Sequence, residues 1–137
     1  MYIAPVESSK LYNSIDTFRD VNDVLYEIDF SMTRALVMNE VHAATLTTDA
    51  LLAPSQEWHR YVLKGESKST PDHRSGTSLR SICDRELTFV AGRAGILHGI
   101  AGWFDAILAD GLVLSNAPET RITSWRQVFF PLTQPIP

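Results

Sequence analysis

At 137 residues, with 45% hydrophobic and 20% charged side chains, the chain can bury one domain core and is not compositionally disordered. A net charge of −4 gives no basic surface to attract nucleic acid or an anionic membrane, and no apolar run approaches the length of a membrane-spanning helix. A single cysteine, Cys83, excludes an internal disulfide and a cysteine-based metal site, and the opening Met1–Val6 lacks the basic flank of a signal peptide, so the expectation is a soluble protein of the reducing cytoplasm.

Tyr2-Ile3-Ala4-Pro5-Val6 predicts a strand, and the spacing from Glu7 to Ile15 predicts a short helix or turn with Ser8 or Ser9 as cap. Between Val21 and Met38 the apolar residues Val24, Leu25, Ile28, Phe30, Met32, Leu36 and Met38 fall partly at helical spacing, with Asp29 or Ser31 as cap. Ala43–Leu52 is rich in Thr and Ala and is broken by Pro54; Trp58–Leu63 reads as a strand. The polar stretch from Lys64 to about residue 78, with Gly65, Pro71 and Gly76, reads as a flexible surface loop.

The second half alternates more clearly. Glu86–Ala91 predicts a strand, Gly95–Leu108 one long strand bent at its glycines, and Gly111–Ser115 another. Asn116–Glu119 reads as a turn, and Trp125–Leu132 as a last strand. Strands at this spacing suggest an antiparallel sandwich or barrel.

Candidate chemistry is sparse. His42, His59 and His73 lack metal-ligand spacing with one another or with Cys83, so no metal site is expected. Cys83 reads as a small half-buried apolar residue. Glu7, Glu86, Asp105 and Glu119 form no pair, Ser115 lacks a nucleophile-elbow context, and His98 in an apolar strand reads as a structural histidine. Trp103, Phe104, Phe89, Phe129 and Phe130 read as core rather than as a base-stacking platform, which would need flanking Lys and Arg. For Trp125 two readings stand: a core anchor, or a wall of a cleft.

Three segments occur in an order and at separations that carry a resemblance: His98-Gly99-Ile100-Ala101-Gly102-Trp103-Phe104-Asp105, Leu114-Ser115-Asn116-Ala117-Pro118, and Thr123-Ser124-Trp125 running into Arg126–Phe130. Together they resemble the C-terminal barrel of the protein arginine methyltransferases, with its H-G/A-x-x-x-W/Y-F-D/N strand, its L-S-T-x-P-like turn and its T-H-W loop. Tyr2–Glu7 is similar to that family's first barrel strand. Tyr26-Glu27-Ile28-Asp29-Phe30-Ser31 is similar to the segment from which its dimerisation arm departs. Ser124 stands where the family has histidine, and a hydroxyl does not titrate near neutral pH.

The resemblance implies a single domain over residues 1–137, mainly β, a partial antiparallel β-barrel with a short helical dimerisation-arm insertion at about residues 21–42. It implies a substrate-binding loop at Thr123, Ser124 and Trp125, and an arm carrying Tyr26, Ile28, Asp29, Phe30, Leu36 and Met38 that makes a homodimer. It also implies a parent enzyme that uses S-adenosylmethionine to methylate a protein or small-molecule acceptor. The glycine-rich loop and paired glutamates of the family's cofactor domain are not found in this sequence, so no catalytic, cofactor or metal residue is assigned, and the chain alone is expected to be inactive without that separate domain. The alternative is a non-catalytic barrel that serves binding or oligomerisation.

Overall fold

The computed structural model describes residues 1–16, 31–61, 85–120 and 123–137. Its strands are β1 (Tyr2–Val6), β2 (His42–Ala44), β3 (Gln56–Glu57), β4 (Leu97–Trp103), β5 (Asp105–Ala109), β6 (Leu112–Ser115) and β7 (Gln127–Ile136); its α-helices are α1 (Ser9–Ile15) and α2 (Ser31–Met38). Five strands make one sheet in the order β2-β7-β4-β1-β3, and β5 pairs with β6 in a separate two-stranded ribbon. All the pairings are antiparallel.

The centre of the sheet is tight because β4 is glycine-rich. A Cβ at Gly99 would lie 2.5 Å from Cε2 and 2.6 Å from Cζ of Phe129, and against the Phe130 carbonyl as well. Glycine there lets β7 approach and lets the fully buried Phe129 ring lie across β4. Val6, Tyr12, Met38, Trp103 and Phe129 are the large members of the core on that face.

β7 is paired with β2 over Gln127–Phe129 and with β4 on its other side; Pro131 and Pro135 lie beyond the β2 pairing, where the β4 register shifts. The Thr133 carbonyl accepts from Tyr12 Oη at 3.2 Å and from Arg34 Nη2 at 3.3 Å. The same Arg34 forms a two-pronged ion pair with Asp16, Nε to Oδ1 at 2.6 Å and Nη2 to Oδ2 at 3.0 Å. Asp16 follows α1 and is 1 % exposed, so the pair ties α1, α2 and the outer edge of β7 together. The carboxylate raises the Arg34 pKa above its ordinary value, which keeps the guanidinium charged.

The fold is mainly β and antiparallel with two helices, as expected; the described strands form no closed barrel, the sheet ending at β2 and β3 and the ribbon standing apart. Other expectations are corrected. Residues 58–61 of the strand expected at Trp58–Leu63 form none; the strand in this region is Gln56–Glu57, after which the N–H groups of Trp58 and His59 both donate to the Met1 carbonyl. Residues 62 and 63 lie outside the described residues.

Glu86–Ala91 is extended but forms no strand, anchored instead by Gln56 Nε2 on the Thr88 carbonyl and by the Gly92 N–H on Leu52. The long strand Gly95–Leu108 is broken at Phe104, and the last strand begins at Gln127 rather than Trp125. Phe130, expected in the core, is exposed.

The short helix expected after Glu7 is α1, with Ser8 at its cap position; the Ser8 hydroxyl makes no cap bond. The loop from Lys64 to residue 78 and Cys83 lie outside the described residues. Among the described residues no helix is long and apolar enough to cross a membrane.

Candidate functional site

The loop Thr123-Ser124-Trp125 precedes β7 and is folded by its own threonine. Thr123 Oγ1 accepts from the Trp125 N–H at 3.2 Å and donates to the Trp125 carbonyl at 3.0 Å. Trp125 is 53 % exposed, which removes the core-anchor reading; its ring rests on Phe104 with centroids 5.8 Å apart and planes tilted by 58°. Ser124 is exposed beside it.

The indole forms one wall of an open, mostly apolar groove of about 780 Å³, shared with Val41, Trp103, Phe104 and Val128. Asn116, Ser124, Gln127, His42 and Arg126 supply its polar positions, and among the described residues no Asp or Glu lines it.

Two buried amides hold this wall in place. The Asn116 Oδ1 accepts from the Phe104 N–H at 2.9 Å, while its Nδ2 donates to the Arg126 carbonyl at 2.8 Å. Gln127 donates from Nε2 to the Asn116 carbonyl at 2.6 Å and accepts the Leu46 N–H at 3.0 Å. The chain from Leu46 through Gln127 and Asn116 to Phe104 thus links the substrate-loop candidate to the point where β4 becomes β5.

Sequence reading took Asn116 as a turn residue and passed over Gln127. A signal for Gln127 exists, since it lies two residues before Phe129 on the same face of β7, a polar group at a core position.

The other candidates are dispersed. Of the arm residues, Leu36 is exposed on α2 and Met38 is buried in the core. Tyr26, Ile28, Asp29 and Phe30 lie outside the described residues. His98 is buried, with Nδ1 2.9 Å from the Ile96 carbonyl and 3.3 Å from the Ser8 nitrogen, and its ring 5.5 Å from that of Tyr12, as a structural histidine would be.

Across the sheet Arg93 pairs with Glu7, whose other oxygen accepts the Ile96 N–H at 3.1 Å. These bonds, led by Arg93, hold the Glu7 carboxyl below its ordinary range. Among the described residues no three His, Cys, Asp or Glu side chains gather as a metal site would require.

Comparison with known proteins gives a family model described as the PRMT5 oligomerisation domain, matched over residues 1–137. Protein arginine N-methyltransferase 5 of Xenopus laevis is 30% identical over 139 residues, which cover 99% of this chain and 19% of that protein. The protein of the same name from Oryza sativa subsp. indica is 28% identical over 138 residues, covering 98% of this chain and 18% of its own length. An arginine N(omega)-methyltransferase of Streptomyces achromogenes subsp. streptozoticus is 33% identical over 54 residues, covering 39% of this chain and 15% of that protein. The chain thus spans about a fifth of the length of the first two relatives.

Proposed function

Because the chain belongs to the protein arginine methyltransferase family, matching an oligomerisation domain over residues 1–137, we propose that it is the oligomerisation and acceptor-channel portion of an S-adenosylmethionine-dependent methyltransferase. In this reading the sheet is part of a barrel wall, the helical segment around α2 is a dimer arm, and a separate cofactor-binding domain packs over the groove. That domain supplies both the methyl donor and the carboxylates that hold the acceptor nitrogen. This chain alone transfers no methyl group.

The channel reading is carried by one observation. Trp125 holds its indole half in solvent, braced on Phe104 and fixed by Thr123, above a groove with apolar walls. An indole that served packing alone would be buried. Such a wall confines the alkyl stem of a long acceptor side chain and excludes water, so that alignment supplies the effect. Ser124 can orient a neighbour through one hydrogen bond and carries no titrating proton.

The test is methyl transfer to an arginine peptide by the longer protein that contains this chain. Trp125→Ala should lower kcat/KM more than Ser124→Ala does, the latter by no more than about tenfold, the worth of one neutral hydrogen bond. Melting curves confirm that both variants are folded. Activity abolished by Ser124→Ala and untouched by Trp125→Ala would refute the channel reading.

A further inference from the structure

Arg126 is the one permanently charged side chain among the described residues that line the groove beside Trp125. It stands immediately before β7, and by the two-residue alternation of a strand it shares a side with Val128, which lines the same groove. Its backbone is fixed on both flanks. The Arg126 carbonyl accepts from Asn116 Nδ2 at 2.8 Å, and the next residue, Gln127, is buried and bonded through both ends of its amide. Arg126 itself is exposed, so a mobile cation is carried on a rigid base.

The other described arginines are engaged. Arg34 pairs with Asp16, Arg60 with Glu57 and Arg93 with Glu7, while Arg85 donates to the Trp58 carbonyl at 3.2 Å. The Arg126 guanidinium makes no such bond among the described residues. Trp125 and Arg126 also line a second, smaller hollow with Thr45, Thr47, Thr120 and Thr123, which no described Asp or Glu lines either. The Thr120 and Thr123 hydroxyls already donate to the Ala117 and Trp125 carbonyls at 2.8 and 3.0 Å. The guanidinium is the strong donor left where the two hollows meet.

A free guanidinium repels the guanidinium of an arginine acceptor, and no described carboxylate stands at this end of the groove to offset it. The repulsion turns to attraction when the acceptor carries an anion within reach of Arg126. We propose that Arg126 selects acceptors by a carboxylate: it binds that group while the alkyl stem runs along Trp125 and the cationic end points away. This rests on the channel reading above and adds which acceptors the channel admits. The carboxylate is either the α-carboxylate of a free amino acid or an acidic side chain beside the target in a peptide; the chemistry at Arg126 is the same.

The test is methyl transfer by the longer protein that contains this chain, on two matched pairs of acceptors. One pair is L-arginine and L-argininamide; the other is a peptide with amidated ends and glutamate or glutamine next to its arginine. In at least one pair kcat/KM should favour the carboxylate by about fivefold or more, the worth of one well-formed ion pair. Arg126→Gln should bring that ratio to about one, Arg126→Lys should keep part of it, and Arg126→Glu should reverse it. Preference in the first pair alone assigns the α-carboxylate, and preference in the second alone assigns the side chain.

A wild type without preference in either pair overturns the proposal, as does a ratio that survives Arg126→Gln. Loss that falls equally on both members of each pair overturns it too, since Arg126 then serves another part of the longer protein. All of these leave the channel reading in place. Trp125→Ala, measured on the same four acceptors, decides that reading separately: unchanged rates on all four overturn it, and a wild type inert on all four overturns both.

Discussion

Arg34 and Asp16 allow the helical side of the fold to be measured directly. Replacing Arg34 by Met keeps a long apolar stem but strands a carboxylate that is 1 % exposed, and it removes one of the two donors to the Thr133 carbonyl. Breaking a buried pair from one side costs about 3–5 kcal/mol. Arg34 is itself 29 % exposed, so water screens part of the interaction and the lower end applies, about 3 kcal/mol. Asp16→Asn keeps the shape and should cost less, about 1–2 kcal/mol, since Arg34 can still reach Thr133 and solvent.

The double variant should cost less than the sum of the two, leaving a coupling of about 2 kcal/mol. Urea unfolding of the four proteins at neutral pH gives these values from the midpoints, provided that the urea slope is unchanged. Single effects that add within about 0.5 kcal/mol, or an Arg34→Met cost under about 1 kcal/mol, would refute the latch between α1, α2 and β7.

Gly99→Ala should lower the melting temperature by about 5–10 °C or prevent folding, because its methyl group meets the Phe129 ring and the Phe130 carbonyl with no room to move; a neutral melt would contradict that packing. Asn116→Ala should cost about 2–4 kcal/mol in urea unfolding, since the Phe104 N–H and the Arg126 carbonyl both lose their partner, whereas a loss under about 1 kcal/mol would mean that water replaces the amide freely. Glu7 has a folded pKa below its ordinary 4.5, so its contribution is present above that value and is lost as pH falls through the folded one. The gap in urea midpoint between wild type and Arg93→Met should therefore narrow on acidification below about pH 4.5, and a constant gap would separate Glu7 from Arg93.

What was legible in the sequence was local. The strand-like composition of Tyr2–Val6 and Gly111–Ser115 and the apolar spacing of α1 and α2 are set by neighbours a few residues away. Residues 58–61 and Glu86–Ala91 have the same strand-like composition and form no strand, because a strand also needs a partner; among the described residues each meets single hydrogen bonds rather than a ladder. The break at Phe104 could not be read either, since it is made by Asn116, whose sequence context spells only a turn. At the candidate site the motif located Trp125, but its exposure and the amides behind it come from pairings more than ten residues away in the chain.

Asn116 also joins the two halves of this surface. Its side chain bonds the backbone at Phe104, where the ribbon departs, and the backbone at Arg126, next to the indole. One buried amide thus fixes both the root of the hairpin and the strand entry beside Trp125, and the ring that Trp125 rests on belongs to the residue whose N–H that amide accepts.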